Sequence, residues 1–576
     1  MAYPMNLPVI VGVARHIAPR NGRTKENEYV TPLELLNIAT SKTFQDAGIE
    51  NTESLDSIAV VNMIADSRLA IAEKEHPDAR IYDNPAACIA ATNKDISTQD
   101  NLNEFVYTAG GGNTPQALVN RACERISKGL NKCALIVGCE ALHSFEKARK
   151  NKLSARKDLG WGDHEVENQE LLQRLSKRVG LTAFPDGKKL TSNEGLFSDK
   201  ERRHGMAAPI ACYPLLEQSL RVSHGRTIDE QTQIVAKLFS DYSQVAAASA
   251  NVKDSWFGTA YSVDELATDD GGSNRWVGRP FYRKRLNAVM DVDMSSGILV
   301  MSYGEATRLN VDPSKMVFLN GCGDAKDEIQ VSKRRELHKS PAMRAAGGEA
   351  LRMAGISNPN TEIDFFDIYS CFPVAVEVAC DELGIDFQSL NKPLTVTGGL
   401  PFHGGPGNNY VGHSICKMID VLRNAKVKHN GKDVTGLVTA NGGYITKHAF
   451  GVYSTKPNQQ HIYGEGWRRE DPYVTQKRAD EYAKPLAIVA ENPSGEGTIE
   501  SYTVMCDRDG KPSRGIIIGR LNANHERFVA NLPRGDVEAM EGLLGQDSVG
   551  MNGMVSTDKG KSVFVFNGNT SSNSRL

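Results

Sequence analysis

The sequence lacks the cysteine patterns that would cross-link the chain or hold a structural metal. Its ten cysteines are scattered over 576 residues, and no two of them form a CxxC pair. This pattern argues against a structural zinc site and against a disulfide framework. A reducing compartment is then the default, so we expect a cytoplasmic protein. We also expect that it needs no metal or other cofactor.

Long apolar runs and a surplus of positive charge are also absent. No run reaches the ~18 apolar residues of a membrane-spanning helix, and residues 1–16 lack the basic start of a signal peptide. The 67 Lys and Arg residues face 70 Asp and Glu residues, for a net charge of −3. Because phosphate binding needs excess Lys and Arg, we predict no nucleic-acid binding. Because no apolar run is long enough, we predict no membrane insertion. The final Ser574-Arg575-Leu576 resembles a variant peroxisomal signal, which is relevant only in a eukaryote.

What the sequence does contain is an alternation of short apolar runs and helical stripes. At 576 residues the chain is too long for one hydrophobic core, and two to four domains are expected. Over residues 1–145, runs such as 7–13 and 133–138 are typical of buried strands, with amphipathic helices between them. This alternation predicts an α/β fold with a parallel or mixed sheet covered by helices. The alternation stops over residues 146–285, which are rich in charge and glycine and are interpreted as an insertion.

One βα unit occurs twice. From Gly110 the chain reads GGGNTPQALVNRACERISKG before the strand CALIVG, and from Gly404 it reads GGPGNNYVGHSICKMIDVL before GLVTANGG. The echo predicts a duplicated core with one half in residues 1–145 and the other in 286–470. Glycine-rich turns also occur in α/β proteins without duplication, so the echo alone leaves both interpretations open.

The composition changes again near the C-terminus. Residues 485–566 contain short alternating runs, such as TIESYTVM, GIIIGRL and KSVFVF, separated by Asp-Gly and Lys-Gly turns. This spacing predicts an additional small β-rich domain, which we interpret as a barrel of the OB-like type. The polar stretch 568–576 is predicted to be disordered.

With these motifs in view, residues 1–455 resemble the thiolase superfamily, nearest the sterol-carrier-protein-type thiolases and the type 1 thiolase-like proteins. The resemblance implies a five-layer αβαβα core, a CoA-binding loop domain at 146–285 and an additional C-terminal domain at 485–566. It also implies an acyl-CoA thioester as the small-molecule substrate and leaves a homo-oligomer open.

The motifs that resemble the family also depart from it. Aligned on Gln116-Ala117, the nucleophilic cysteine of the family falls on Gly111, so the usual acyl-enzyme cannot form there. The His-Asp-Cys-Phe motif reads Tyr369 to Phe372, which retains Cys371 and replaces His by Tyr369. The resemblance implies a proton-transfer role for Cys371, and a Tyr at this place also resembles thiolase-fold aldolases that cleave steroid side-chain acyl-CoAs.

Two further family motifs have each lost a reactive residue. The Gly-His-Pro motif reads Gly404-Gly405-Pro406, and the final Cys-x-Gly motif falls at Ala440 to Gly443. The nearby histidines, His403 and His448, become the acid/base candidates. Each histidine, taken alone, is equally explained as a structural hydrogen-bonding residue.

Thioester chemistry needs donors aimed at the carbonyl oxygen, and glycine turns at helix N-termini supply backbone N–H groups there. The alternative for each turn is a tight bend without a ligand, and for the cysteine a small buried apolar residue. The predicted catalytic residues are Cys371, Tyr369, His403 and His448, and the predicted substrate-binding residues are Gly111, Gly112, Asn113, Gly404, Gly405, Asn408 and Asn441. The basic stretches 147–157 and 279–285 are either a rim for the CoA phosphates or solvated surface.

Three functions remain open. The first is an acyl-CoA acyltransferase of the acetyl-CoA acetyltransferase type in lipid metabolism, with Gly111 in place of the nucleophile. The second is a retro-aldol acyl-CoA lyase, which needs no acyl-enzyme. The third is a protein that binds acyl-CoA without catalysis.

Overall fold

Strands and helices alternate through the computed structural model, which describes residues 3–19, 28–50, 52–76, 78–96, 100–185, 196–248 and 251–567. The predictions for 574–576 and for disorder at 568–576 concern residues outside these ranges. The strands are β1 Pro8–Ile17, β2 Ser57–Val60, β3 Glu104–Thr108, β4 Cys133–Ala141, β5 Thr182–Phe184, β6 Trp276–Arg279, β7 Tyr282–Arg283, β8 Asp293–Ser302, β9 Phe318–Lys326, β10 Phe365–Asp367, β11 Thr435–Gly442, β12 Lys447–Ser454, β13 Gly495–Cys506, β14 Pro512–Leu521, β15 Arg527–Asn531, β16 Asn552–Asp558 and β17 Lys561–Phe566.

The helices mostly begin at a capping side chain or a proline and often end at a glycine. In the helix Pro32–Ala47, Thr31 caps the first turn, Pro32 stands at the first helical position, and Gly48 closes the last turn with φ 68°. The helices are α1 Pro32–Ala47, α2 Ile64–Glu73, α3 Pro85–Thr92, α4 Thr114–Ser127, α5 Leu142–Lys150, α6 Gln169–Val179, α7 Asp199–Arg203, α8 Pro209–Ser223, α9 Ile228–Ala247, α10 Val263–Ala267, α11 Tyr303–Arg308, α12 Pro341–Ala354, α13 Pro359–Glu362, α14 Pro373–Leu383, α15 Tyr410–Lys428, α16 Gln459–Tyr463, α17 Pro472–Tyr482 and α18 Val537–Leu544.

Two sheets repeat one topology. The first sheet has the order β1-β8-β4-β2-β3-β5, and the second has the order β10-β11-β12-β9. In the first sheet β8 lies between β1 and β4, and in the second sheet β12 lies between β9 and β11. Each of β8 and β12 is the last core strand of its half, and each is antiparallel to both of its neighbours. The second half has no counterpart of β3 among the described residues. The duplicated core predicted from the two glycine turns is therefore confirmed.

The helices complete five layers. Helices α4 and α15, which follow the two glycine turns, pack on each other and on strands of both sheets, so they form the middle layer. Helix α1 covers the outer face of the first sheet, and α12 covers that of the second. Apolar residues face these layers from both sides, as in α4 with its buried Leu118, Val119 and Ile126. The αβαβα arrangement implied by the family resemblance is confirmed.

The insertion does not form a separate layer. Its strand β5 extends the first sheet beside β3, whereas β6 pairs with β13 of the C-terminal region. Its long helices α8 and α9 pack on α14 of the second half. The charge and glycine content of this segment did not predict these pairings. The unpaired edge of a sheet can pair with a strand from a distant part of the chain, and such a pairing leaves no local pattern. Strand β8 falls within the range 286–470 predicted for the second half, but it pairs into the first sheet instead. The other domain boundaries predicted from the sequence stay predictions.

Five C-terminal strands close into a barrel. Strand β13 pairs with both β14 and β16, β14 pairs with β15, β15 runs parallel to β17, and β17 pairs with β16. Alternate residues such as Ile499, Tyr502, Ile517, Phe528 and Phe564 fill its interior. The predicted small barrel is thus confirmed, although β16 and α18 were not predicted, because only two residues of β16 face the interior.

Candidate active site

The two glycine turns meet at the centre of the molecule. The Gly111 N–H donates to Asn408 Oδ1 at 2.9 Å, and Asn408 Nδ2 donates to the carbonyl of Asn62 at 2.9 Å. These bonds join the C-terminal ends of β2 and β3 to the turn before α15. Asn408 is buried and hydrogen-bonded at both amide atoms, so its position is that of a bridge between the halves. Its predicted role in substrate binding stays a prediction.

The Gly111–Gly112 turn has no room for a side chain. A Cβ on Gly111 would lie 2.6 Å from Asn113 Oδ1, and a Cβ on Gly112 would lie 2.5 Å from the Asn441 carbonyl oxygen. The same point is 2.6 Å from the hydroxyl oxygen of Tyr369. The space beside Gly111, the family's cysteine position, is taken by Asn113 of the same turn, and the space beside Gly112 is taken by Asn441 and Tyr369 of the second half.

Tyr369 presents a neutral hydroxyl to this turn. The residue follows β10, where its N–H donates to Thr439 Oγ1 at 2.9 Å and its ring meets Tyr410 edge-on at 5.6 Å. Burial raises the pKa of the Tyr369 phenol well above its ordinary value of 10.0. With this pKa the phenol keeps its proton at neutral pH and can act as a hydrogen-bond donor.

Cys371 belongs to a small hydrogen-bonded cluster. Its thiol donates to the Tyr213 hydroxyl at 3.4 Å, while Asn441 Nδ2 lies 3.3 Å from that hydroxyl and 3.9 Å from Cys371 Sγ. Burial raises the pKa of the Cys371 thiol to about 12, although the Tyr213 and Asn441 contacts oppose the shift. The nearby N-terminus of α14, at Pro373, does not offset burial. Cys371 is therefore a protonated thiol at neutral pH, which suits a proton carrier better than a nucleophile.

Tyr213 is a member of this cluster that the sequence gave no reason to select. It lies on α8 of the insertion, donates to the Gly443 carbonyl at 3.0 Å and stacks on Phe372 with ring centroids 4.2 Å apart. Its position is 158 residues from that of Cys371. No local motif marks a tyrosine on an amphipathic helix as a site residue. Only the packing of the insertion onto the second half brings it there.

Lys447 is a second unexpected neighbour of the glycine turn. It stands opposite Gly442 in the β11–β12 pair, and its Nζ donates to the Gly110 carbonyl at 3.0 Å. Its Cδ would lie 3.6 Å from a Cβ on Gly111. The first half's turn is therefore flanked by a positive charge from the second half.

His403 lies away from Tyr369 and Cys371. The ring of Tyr410 stands between them, 6.1 Å from His403 and 5.6 Å from Tyr369 by centroids. Burial, with the nearby charges of Arg15 and Lys417, lowers the pKa of His403 to about 3. His403 is thus a neutral buried imidazole, and the structure does not bring it to the cluster. Its predicted catalytic role has no geometric support here.

The Gly404–Gly405 turn is packed rather than open. A Cβ on Gly404 would lie 3.0 Å from Met294 Sδ, and the Gly405 N–H already donates to the Val289 carbonyl at 2.8 Å. A donor role toward a ligand stays a prediction for these two glycines. Asn113, on the other turn, has a buried Oδ1 without a hydrogen-bond partner. It is therefore the turn residue whose polar atom remains open to a ligand.

His448 is buried on β12 opposite Asn441. Its Nε2 lies 3.3 Å from Asp327 Oδ2 and 3.3 Å from Ser340 Oγ, and its Nδ1 has no partner. The imidazole thus points toward the N-terminus of α12, while its strand neighbour contacts Cys371. His448 itself contacts Ser340 and Asp327 rather than Cys371, and its predicted catalytic role stays a prediction.

The two basic stretches flanking the insertion are largely engaged with other side chains. Lys147, Arg149 and Arg156 form ion pairs with Glu28, Glu146 and Glu75 at 3.0, 2.7 and 2.8 Å. Arg283 lies 3.7 Å over the Trp276 ring, and Arg285 lies 4.5 Å over Tyr261. A rim for CoA phosphates stays a prediction, and surface ion pairing accounts for much of the charge.

Within the described ranges, no group of three or more His, Cys, Asp or Glu side chains is arranged to hold a metal ion. Over the same residues, every helix is too short or too polar to cross a bilayer.

Comparison with known proteins gives the class that this fold and site define. The whole chain matches the crystal structure of a monomeric SCP2-thiolase like protein type 1 from Mycobacterium smegmatis, with 28% identity, a TM-score of 0.74, and coverage of 98% of this chain and 100% of the other. The Ltp2–ChsH2(DUF35) aldolase matches 78% of this chain and 97% of its own at 16% identity and a TM-score of 0.51, and so shows the fold alone. Acetyl-CoA acetyltransferase from Syntrophomonas wolfei covers 79% of this chain and 100% of its own at 13% identity and a TM-score of 0.49. The match to the Mycobacterium smegmatis structure shows that the protein has the thiolase fold.

The C-terminal barrel makes the assignment narrower. A family model described as the additional C-terminal domain of thiolase-like protein type 1 matches residues 477–560. The chain thus combines the thiolase fold with the additional domain of the type 1 thiolase-like proteins, as the motifs predicted. No curated protein sequence matches it.

Proposed function

We propose that the protein acts on acyl-CoA thioesters and makes or breaks a carbon–carbon bond by a retro-aldol type of reaction, without an acyl-enzyme. The observation that carries the proposal is the glycine turn, where Gly111 offers no nucleophilic side chain and the neighbouring Gly112 is closed off by Asn441 and the Tyr369 hydroxyl. A ping-pong acyl transfer needs a covalent intermediate at that place. A retro-aldol reaction does not need one.

The remaining groups suit enolate chemistry. In retro-aldol cleavage the Cα–Cβ bond of a β-hydroxyacyl-CoA breaks, its electron pair becomes the thioester enolate, the hydroxyl loses its proton, and Cα gains one. Neutral donors near the oxygens stabilise the developing charge. Tyr369 offers a phenol and Cys371 a thiol, both protonated at neutral pH because burial raises their pKa. The N-terminus of α4, just after the turn, adds the positive end of a helix dipole.

Acyl transfer remains a second candidate because of one contact. Asn441 Nδ2 approaches Cys371 Sγ at 3.9 Å, and the hydrogen bonds around the thiol favour its thiolate. A direct transfer between two CoA thioesters would use this cysteine. The raised pKa of Cys371, about 12, weighs against it.

Two assays on four variants separate these functions. The assays follow aldehyde or ketone release from a β-hydroxyacyl-CoA and CoA-dependent cleavage of acetoacetyl-CoA. The site variants are Tyr369→Phe and Cys371→Ala, and the matched controls are Tyr473→Phe on the exposed face of α17 and Cys506→Ala on β13. We expect carbonyl release that falls ~10²-fold in Tyr369→Phe, the loss typical of a positioned acid/base group, with both controls unchanged.

Other outcomes contradict the proposal. Acetoacetyl-CoA cleavage that depends on Cys371 and tolerates Tyr369→Phe would establish acyl transfer instead. Saturable acyl-CoA binding with neither activity would establish a binding protein. Absence of acyl-CoA binding at millimolar concentration would remove the substrate class altogether.

A further inference from the structure

Two polar atoms beside the Cys371 cluster are buried without a hydrogen-bond partner. They are Oδ1 of Asn441 and Nδ1 of His448. In the antiparallel β11–β12 pair these residues stand directly opposite each other, so their side chains project from the same face of the sheet with Cα atoms ~5 Å apart. Because buried polar groups are nearly always satisfied by protein or by ordered water, this pair of open atoms marks a place for a bridging group.

The far side of His448 leads toward solvent. Its Nε2 is within 3.3 Å of both Ser340 Oγ and Asp327 Oδ2, and Ser340 also donates to Asp327. Asp327 in turn lines a surface cavity of about 270 Å³ beside Arg335 and Lys339. A continuous set of polar side chains therefore runs from this cavity to His448, whose cross-strand neighbour Asn441 contacts Cys371.

The proposed chemistry creates a need for such a route. Tyr369 and Cys371 are neutral donors, and the imidazole of His403, with a pKa lowered to about 3, stays neutral as well. In each turnover the β-hydroxyl gives up one proton and Cα takes up one, so the site needs a group that accepts the first proton and returns one to Cα. None of these three groups titrates near neutral pH.

We propose that a buried water molecule, bound between His448 Nδ1 and Asn441 Oδ1, connects the Cys371 site to the Asp327 cavity as a proton route. Asn441 holds the water but passes no proton itself. Because Ser340 already donates to Asp327, His448 Nε2 carries the ring proton toward this pair and Nδ1 accepts from the water. When the water passes a proton from the site to Nδ1, Nε2 gives its proton to the Asp327 carboxylate; the reverse transfer returns a proton to the site. The count of protons on the ring is unchanged in both directions. His448, Ser340 and Asp327 are positioning residues, since they act through the water.

The water itself can be tested without any assumption about activity. A crystal structure of the full chain, at a resolution that shows ordered solvent, should contain a water within ~3.2 Å of both His448 Nδ1 and Asn441 Oδ1. The site should empty in Asn441→Leu. An unoccupied gap in the unaltered protein, or a direct bond between the two side chains, would overturn the proposal.

The proton route rests on the proposed function and is tested by exchange of the C2 protons of acetyl-CoA in D₂O, followed by NMR. We expect His448→Phe to lower the exchange rate about tenfold or more while the acetyl-CoA Kd is unchanged, with partial rescue by added imidazole. The matched control is His461→Phe on α16, a buried histidine whose Nδ1 also lacks a partner, and exchange should not change there.

The outcomes distinguish the two proposals. If the unaltered protein exchanges C2 protons and His448→Phe does so equally fast, the route is wrong and the enolate function stands. If His448→Phe alters only the Kd or the unfolding temperature, the histidine is structural and the route is again wrong. If the unaltered protein binds acetyl-CoA without exchange, the enolate function fails together with the proton route, whatever the crystal structure shows of the water.

Discussion

The hydroxyl oxygen of Tyr369 lies 2.6 Å from the point that a Cβ atom on Gly112 would occupy. A side chain from the second half thus takes the place beside the first half's glycine turn. The tyrosine thus closes off Gly112, next to the Gly111 position on which the family's cysteine would fall. Tyr369 and Cys371 are the neutral donors of this site.

Gly112→Ala should destabilise the protein because its new methyl group meets the Asn441 carbonyl oxygen at 2.5 Å as well as Tyr369. We expect a loss of about 1–3 kcal/mol in the free energy of unfolding, the usual cost of overpacking. The matched control is Gly348→Ala on α12, where a Cβ meets nothing within 4 Å. It should stabilise the helix by up to ~1 kcal/mol. Urea unfolding of both variants measures the two changes in the free energy of unfolding. Equal changes would contradict the packing described around Gly112.

Cys371 should react slowly with alkylating agents. With a thiol pKa of about 12 in the folded protein, against about 8.5 for a free cysteine, the thiolate fraction at pH 8 is lower by roughly 10³-fold. The rate of iodoacetamide modification, read by mass spectrometry of the Cys371 peptide, should keep rising with pH up to 10. A plateau below pH 9 would show a thiolate-favouring site and would revive the nucleophile hypothesis.

Much of the fold was predictable because its strands are buried on both faces. Runs such as CALIVG at β4 and GILVMS at β8 need no tertiary information to be recognised. Strand β16, NGMVSTD, was missed because it is largely polar and half exposed. Likewise, Cys371 and Asn441 could be placed by motif, but Tyr213 could not, since its contact depends on how α8 packs. The direction of a loop histidine such as His403 is also set by its neighbours rather than by spacing.

His403 should make stability depend on pH. Its pKa is lowered from 6.5 to about 3 in the folded protein. The unfolded chain therefore gains a proton below pH 6.5 that the folded one refuses, and stability is lost as pH falls from 6.5 toward 3. The slope contributed by one such histidine is up to ~1.4 kcal/mol per pH unit. In His403→Gln the free energy of unfolding, measured by urea unfolding, should fall less steeply between pH 6.5 and 4.5. An identical fall in both proteins would show that His403 is not a buried neutral imidazole.

Arg527 should hold the barrel to the core. Its fully buried guanidinium donates to the carbonyls of Ser332, Arg334 and Arg335 and pairs with Glu500. Arg527→Met should cost about 3 kcal/mol, because these buried partners lose their donor. The matched control is Arg520→Gln, which shares Glu500 but is partly exposed, and it should cost at most ~1 kcal/mol. Urea unfolding and limited proteolysis between residues 470 and 495 report the difference, and equal losses would show that Arg527 is not the attachment point.

Tyr213→Phe tests whether the insertion contributes to the chemistry. The change keeps the stacking on Phe372, at 4.2 Å, but removes the hydroxyl that contacts Cys371, Asn441 and the Gly443 carbonyl. Stability should fall by only ~1–3 kcal/mol, since one buried acceptor loses its donor. Turnover should fall at least tenfold, because Cys371 and Asn441 lose the group that orients them.

A double-variant cycle with Cys371→Ala separates orientation from packing. If Tyr213 acts through the thiol, Tyr213→Phe should have little further effect once Cys371 is alanine, so the two losses will not add. Additive losses would mean that Tyr213 acts independently, through Asn441 or through substrate. Unchanged turnover in Tyr213→Phe alone would show that α8 does not contribute to the reaction. Tyr369 and the glycine turn would then be the parts of the site that do.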